Sequence, residues 1–170
     1  MRESVATVVK AFTADETRAI GMRLGEALKL HPDVFILITL SGDLGAGKTT
    51  FVSGVLRAFG VTGAVRSPTY TLIEPYDFPR QSLYHLDLYR LANAAEIESL
   101  ALRDLMQAGS VLLVEWPERA GEQLPVADVA VQFHYREPGR ELLLQSATPL
   151  GAALLRRIDP HKTGNEVLVS

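Results

Sequence analysis

Cysteine is absent from the 170 residues of this sequence. The absence excludes disulfide bonds, thiolate nucleophiles and thiolate metal ligands, and it is compatible with a reducing compartment. Any metal ion bound by this chain must therefore be held by oxygen or imidazole ligands.

The sequence also lacks a strong excess of charge and a long hydrophobic run. Lysine and arginine total 17 against 20 aspartate and glutamate residues, which gives a formal net charge of -3. Such a balance does not favour capture of a nucleic-acid backbone or an anionic membrane by global electrostatics. No apolar stretch reaches the length of a membrane span, and residues 1–10 contain none typical of a signal peptide. We therefore expect a cytoplasmic protein with no membrane partner.

What the sequence does have is enough apolar residues for one hydrophobic core. Its length, with 47% hydrophobic residues, falls below that expected for two domains. It contains no internal repeat, and its glycines and prolines are scattered as turn signals. We predict a single domain over residues 1–170, with the polar segment 160–170 as a candidate loose tail.

Strand and helix patterns alternate along the chain. Residues 34–40 read V-F-I-L-I-T-L, an almost continuous apolar run that is typical of a strand covered on both faces of a parallel or mixed sheet. The other predicted elements are an edge strand at 4–12, hairpins pairing 69–74 with 82–89 and 129–135 with 141–145, a strand at 111–114, and helices after Thr13 and at Lys48–Ala58, Ala94–Gln107 and Leu150–Ile158. The combination predicts an α/β fold with a mixed β-sheet and helices on both faces.

The segment Gly42–Thr49 reads G-D-L-G-A-G-K-T and matches the complete P-loop pattern, between a predicted strand and a predicted helix. In that setting the glycines let backbone N–H groups face phosphates, and the helix N-terminus favours an anion. Lys48 is expected to neutralise β- and γ-phosphate oxygens. The alternative is a glycine-rich connection with an incidental lysine, which would not require the full pattern. The predicted nucleotide-binding residues are Asp43, Leu44, Gly45, Ala46, Gly47, Lys48, Thr49 and Thr50.

A magnesium ion at a P-loop is expected to take oxygen ligands from the protein. Thr49 would supply a hydroxyl, and a carboxylate at the end of an apolar strand commonly supplies the next ligand. Glu115 directly follows the apolar run 111–114, and Asp87 lies in the strand predicted at 82–89. Either acid could instead be a surface residue at a strand end. The metal-site prediction is Thr49 with Glu115.

Several other residues are weaker candidates for the site. Ser67–Tyr70 follows the P-loop helix, where nucleotide-sensing segments often lie, although a turn entering a strand explains the same residues. His85 alternates with Asp87 on one strand face, but an isolated histidine is more often structural than a ligand. Trp116 belongs either to the core or to the site. The arginines that could stabilise transferring phosphoryl charge, and that the sequence does not rank, are Arg66, Arg90 and Arg119.

Four motifs together resemble those of the bacterial TsaE family, the ATPase subunit of tRNA threonylcarbamoyladenosine biosynthesis. They read G-D-L-G-A-G-K-T-T, S-P-T-Y-T-L-I-E-P-Y, H-L-D-L-Y-R-L and L-V-E-W-P-E-R, in this order, between about Phe35 and Arg119. The resemblance implies a P-loop ATPase in which Lys48 binds phosphate and Thr49 and Glu115 bind magnesium. It also implies that Asp87, with the segment 67–70, completes the catalytic site, and that Trp116 lies nearby.

The resemblance further implies ATP and Mg²⁺ as cofactors and two partner proteins, TsaD and TsaB. TsaD transfers the threonylcarbamoyl group to adenosine 37 of tRNA, so tRNA is a partner of the assembly and not a direct substrate of this chain. Two other functions would use the same phosphate site. A small-molecule kinase would need an acceptor pocket and a closing lid, and a non-catalytic module would bind nucleotide only to order a docking segment.

Overall fold

The fold is built on a seven-stranded mixed β-sheet. The structure is a computed structural model that describes residues 4–93 and 95–158. The strands are β1 (Ala6–Ala11), β2 (Ile36–Ser41), β3 (Ile73–Asp77), β4 (Ser82–Asp87), β5 (Ser110–Glu115), β6 (Val129–Arg136) and β7 (Gly139–Ser146). Their order across the sheet is β1-β7-β6-β2-β5-β4-β3. The central strand β2 is parallel to β5 and β6, whereas the outer pairs β3–β4, β6–β7 and β1–β7 are antiparallel.

Helices cover both faces of this sheet. They are α1 (Ala14–Leu28), α2 (Lys48–Ala58), α3 (Ala95–Glu98), α4 (Leu102–Leu105) and α5 (Pro149–Ile158), with a 3₁₀ segment at Pro117–Gln123. Residues of α1, α2 and α5 form one buried cluster with one sheet face, and residues of α3, α4 and the 3₁₀ segment form a second cluster with the other. β2 contributes Ile38 to the first cluster and Leu37 to the second, which explains its continuous apolar run. The predicted α/β fold is confirmed.

Glycines bring α1 and α2 into close contact. A Cβ at Gly54 of α2 would overlap the backbone carbonyl of Arg18 in α1, and a Cβ at Gly21 of α1 would overlap the carbonyl of Phe51 in α2. The two helix backbones therefore approach at a distance that only glycine permits on both sides. This packing sets the position of α2, whose first turn begins at Lys48, relative to α1.

Most predicted elements agree with the structure. Thr13 caps α1 by accepting a hydrogen bond from the Glu16 amide at 3.1 Å, and the predicted edge strand is β1 at the sheet margin. Gly60, with a φ of +91°, follows the end of α2.

The predicted start of a helix at Ala94 and the predicted tail at 160–170 lie outside the described residues. No helix among the described residues is long and apolar enough to span a bilayer.

Two predicted elements were wrong in their extent. The strand predicted at 69–74 begins only at Ile73, because the Leu72 amide bonds to the Pro68 carbonyl at 2.7 Å and closes a turn there. It then continues through Pro75, which a strand at the sheet edge tolerates. The helix predicted at 94–107 is divided into α3 and α4 at Ala101, whose φ of +50° is incompatible with a continuous helix. Ala101 is exposed, and the next residue, Leu102, is buried.

Candidate active site

The loop between β2 and α2 has the backbone conformation expected from its glycines. Gly42, Gly45 and Gly47 have φ values of +140°, +75° and +110°, in the region that glycine adopts more readily than other residues. Gly47 stands at the N-cap of α2, and no side chain caps this helix. The positive end of the helix dipole is therefore available to an anion.

Lys48 lies under this loop and is almost fully buried, with 4% of its surface exposed. Its Nζ donates hydrogen bonds to the carbonyl oxygens of Gly42 at 2.5 Å and Asp43 at 2.8 Å, and it lies 4.3 Å from the centre of the Trp116 ring. Burial lowers the pKa of Lys48 below its ordinary value of 10.5, and the nearby carboxylates, Glu115 first, oppose that shift. A polyanion beside Lys48 would favour its charged form.

Glu115 ends β5 and faces the first turn of α2. One carboxylate oxygen, Oε1, accepts a hydrogen bond from Thr49 Oγ1 at 2.8 Å and lies 2.8 Å from His85 Nε2 on β4. The parallel pairing of β4 with β5 sets Asp87 opposite Glu115, so the carboxyl ends of both strands meet at the same edge of the sheet. Thr49 and Glu115 therefore present a hydroxyl and a carboxylate oxygen side by side, and both are oxygen donors of the kind that Mg²⁺ would take.

Asp87 is held in one orientation by hydrogen bonds from the segment after α2. Its Oδ2 accepts hydrogen bonds from Ser67 Oγ and, at 3.2 Å, from Thr69 Oγ1. Its Oδ1 accepts a hydrogen bond from the Tyr89 amide at 3.0 Å. These contacts give a physical reason for the turn at 69–71, since a strand would carry the two hydroxyls away from Asp87. The segment 67–70 is thereby placed beside the predicted catalytic residues.

These side chains surround one open cavity of about 450 Å³. Its lining brings together the predicted residues Lys48, Thr49, Asp87 and Glu115, and the weaker candidates Ser67, Thr69 and Trp116. Of the other predicted nucleotide-binding residues, Leu44, Gly45, Gly47 and Thr50 line this cavity, whereas Asp43 and Ala46 line a neighbouring cavity of about 490 Å³. The P-loop thus separates two adjoining cavities.

The three arginines singled out in the sequence do not line the cavity. Arg90 stacks on Tyr70 with its guanidinium carbon 4.2 Å from the ring centre, and Arg119 lies 5.9 Å from the Tyr89 ring. Arg66 lines a separate depression with Tyr70. The arginine that does line the cavity is Arg140 of β7, which sequence reasoning missed because no local motif surrounds it.

The described residues contain no group of three or more histidine, aspartate or glutamate side chains arranged to hold a metal ion. A metal at this site would instead take the Thr49 hydroxyl and the Glu115 carboxylate as protein ligands and complete its shell with water or phosphate oxygens. That donor set fits Mg²⁺, which usually keeps several waters and uses few protein carboxylates.

Comparison with known proteins identifies relatives of this chain. The family model of the threonylcarbamoyl adenosine biosynthesis protein TsaE matches residues 12–142. The tRNA threonylcarbamoyladenosine biosynthesis protein TsaE of Haemophilus influenzae is 44% identical over 128 residues, which cover 75% of this chain and 81% of the relative. The protein of the same name from Bacillus subtilis is 44% identical over 116 residues, covering 68% of this chain and 70% of the relative.

A solved structure extends the likeness to almost the whole chain. The crystal structure of Bacillus subtilis YdiB superposes with a TM-score of 0.69 at 29% sequence identity, covering 95% of this chain and 97% of YdiB. The family match covers the loop 42–47 and the residues around the cavity from Lys48 to Arg140. The chain belongs to the TsaE family of threonylcarbamoyl adenosine biosynthesis proteins.

Proposed function

We propose that this chain binds and hydrolyses Mg-ATP, and that hydrolysis supports turnover of a TsaD–TsaB assembly that forms N6-threonylcarbamoyladenosine at position 37 of tRNA. The observation that carries the proposal is the convergence of Lys48, Thr49, Asp87 and Glu115 on one cavity at the end of the P-loop. Each of these side chains is of the type that phosphoryl transfer to water requires at such a site. The proposed setting is the cytoplasm.

Lys48 is the proposed phosphate-binding cation. Its ammonium already points at the loop, where it bonds to two backbone carbonyls that are weaker acceptors than phosphate oxygens. With the N–H groups of the loop, it would offset charge that develops on the β- and γ-phosphate oxygens during attack by water. A bound polyanion would offset the unfavourable free energy of burying the charged Lys48 side chain.

Thr49 and Glu115 are the proposed magnesium ligands, and His85 positions Glu115. Bound magnesium would supply charge neutralisation at the β- and γ-phosphate oxygens. His85 is fully buried, and its Nε2 lies 2.8 Å from the same Glu115 oxygen that meets Thr49. The Glu115 side chain is thereby held toward the first turn of α2.

Asp87 is the proposed residue that orients the attacking water. Contacts from Ser67, Thr69 and the Tyr89 amide fix its carboxylate, and the remaining lone pairs can accept a hydrogen bond from water in the cavity. Any nucleotide-linked movement of Ser67 and Thr69 would therefore change the orientation of Asp87. A partner protein that holds Ser67 and Thr69 in their contacts with Asp87 would therefore increase ATP turnover.

The proposal is tested by phosphate release from Mg-ATP, measured on the purified chain alone and with purified TsaD and TsaB. We expect weak turnover alone and severalfold stimulation by the partners, with Lys48→Ala defining the background. If nucleotide binds but phosphate release stays at that background in both conditions, hydrolysis is contradicted. The non-catalytic module that binds nucleotide to order a docking segment is then the function that fits. Phosphate transferred to an added small molecule, and not to water, would identify a kinase.

Replacing Glu115 with glutamine tests the magnesium assignment. Glu115→Gln keeps the side-chain volume and an oxygen near Thr49 but removes the negative charge, so the magnesium concentration for half-maximal ATP turnover should rise at least about tenfold. Glu98→Gln is the matched control, since Glu98 is an exposed glutamate of α3 that does not line the cavity and removes the same charge. An unchanged magnesium dependence in Glu115→Gln would remove Glu115 from the metal site.

A further inference from the structure

The segment 67–72 forms a turn that its own sequence does not favour. Residues 69–73 read T-Y-T-L-I, and β-branched and aromatic residues favour an extended strand. The chain turns instead at Leu72, whose φ of +67° lies in the left-handed region that residues other than glycine seldom adopt. Backbone strain of this kind persists only where surrounding contacts impose it. The contacts of this segment therefore decide which conformation it adopts.

The inner side of the segment is bonded to Asp87. The hydroxyls of Ser67 and Thr69 donate hydrogen bonds to Asp87 Oδ2, the latter at 3.2 Å, and the Leu72 carbonyl accepts a hydrogen bond from the Asp87 amide at 3.1 Å. Every one of these contacts depends on the turn. A segment that relaxed to an extended strand would withdraw both hydroxyls from the carboxylate.

The outer side of the segment is held by a cation–π contact. The Tyr70 side chain is 83% exposed, and the guanidinium carbon of Arg90 lies 4.2 Å from the centre of its ring. Arg90 forms no hydrogen bond or ion pair with any residue in 4–93 and 95–158, so the ring is its one polar or charged contact there. The backbone beneath Arg90 is fixed, because Leu88 and Leu91 are buried and the Leu91 amide bonds to the Leu88 carbonyl at 3.1 Å. Arg90 thus offers the exposed tyrosine an anchored partner.

We propose that Tyr70 and Arg90 are positioning residues for ATP hydrolysis, and that their stacking holds the segment 67–72 in the turn that orients Asp87. This inference rests on the proposed function. Arg90 does not line the cavity, so it acts through the segment and not on phosphate. Because Leu72 is strained and the sequence favours a strand, loss of the stack releases the turn in a larger fraction of molecules. The P-loop is not part of this contact, and nucleotide binding is expected to stay the same.

The experiment compares steady-state Mg-ATP turnover of the chain alone with that of Tyr70→Leu, Arg90→Met and the double variant. Each single substitution keeps an apolar side chain and removes one partner of the stack. A cation–π contact at an exposed site corresponds to a change of about two- to fivefold in an equilibrium, so kcat should fall by that factor while KM for Mg-ATP stays unchanged. The double variant should lose no more than either single variant, because both remove the same contact.

Two further variants complete the comparison. Tyr70→Phe keeps the aromatic ring and should recover most of the kcat that Tyr70→Leu loses. Arg103→Met removes the same charge from an exposed arginine of α4 that does not line the cavity, and its kcat should equal that of the original chain.

Several results would overturn the inference. They are an unchanged kcat in Tyr70→Leu, a raised KM with unchanged kcat, losses that add in the double variant, and an equal loss in Arg103→Met. A loss that occurs only when TsaD and TsaB are present would make Tyr70 a partner contact and would also overturn it. Turnover of the original chain no higher than that of Lys48→Ala would instead overturn the proposed function, and the inference with it.

Discussion

Replacing Lys48 with alanine is expected to lower ATP turnover by about 100- to 1,000-fold, the range observed when a preorganised donor to a developing anion is removed. The reason is specific to the geometry, because Lys48 Nζ is the buried cation that lies beneath the P-loop and bonds to its carbonyls. Phosphate release and equilibrium binding of Mg-ATP should both be measured, since a contact with the terminal phosphates affects binding and the chemical step. Turnover within about threefold of the original chain would remove Lys48 from the site.

Lys10→Ala is the matched control for this substitution. Lys10 is an exposed lysine of the edge strand β1, so its loss changes the net charge equally without altering the cavity. We expect its turnover and its nucleotide affinity to stay at the level of the original chain. Circular dichroism of both variants checks that neither change has altered the fold.

The pH dependence of Mg-ATP binding provides a second measurement on Lys48. Burial lowers the pKa of this ammonium in the nucleotide-free protein, whereas phosphate oxygens favour its charged form. Binding must then include proton uptake once the pH exceeds the lowered pKa, so affinity should fall as the pH rises from that value toward the ordinary pKa of 10.5. The acids that oppose the shift in the Lys48 pKa are, in order, Glu115, Asp87, Glu118 and Asp43. The residual affinity of the Lys48→Ala variant for Mg-ATP should not fall over the same pH range.

The parts of the fold and the site that could be predicted are those with local signals. The P-loop is contiguous, and its apolar strand and following helix are visible from residue periodicity alone. Glu115 could be placed near it because the carboxyl ends of parallel strands meet at the same edge of a sheet, and β5 does pair with β2. Asp87 was assigned to the site through the family resemblance, and the structure sets it opposite Glu115 across β4 and β5.

The parts that could not be predicted depend on contacts between distant segments. The residues 69–71 have strand composition, but the hydroxyls of Ser67 and Thr69 bond to Asp87 and favour a turn. Arg140 reaches Gly47 only because β7 pairs with β6 and β1, which no local pattern reveals. The break at Ala101 likewise follows from burial of Leu102 in the second core cluster. In each case a tertiary contact decides against the local propensity.

Replacing Gly54 with alanine should have the largest effect on stability, although Gly54 lies outside the cavity. A Cβ at this position overlaps the Arg18 carbonyl and lies 3.0 Å from the Met22 amide nitrogen, and both are backbone atoms of α1 that cannot move without shifting the helix. Overpacking of this kind costs about 1–3 kcal/mol and sometimes more, against about 1 kcal/mol gained in helix propensity. We expect a net loss of about 2 kcal/mol, or a fall of about 4–8 °C in the midpoint of thermal unfolding.

Gly63→Ala is the control that isolates this packing from the general effect of replacing glycine. Nothing lies within 4 Å of a Cβ built on Gly63, so that variant should unfold within about 1 kcal/mol of the original chain. Because α2 carries Lys48 and Thr49 in its first turn, a shift of α2 away from α1 would also move these side chains relative to Glu115. Gly54→Ala should therefore lose nucleotide affinity as well as stability. Equal midpoints for the two variants would show that the α1–α2 contact tolerates a methyl group, and that the close approach of the helices is not what sets the position of the P-loop helix.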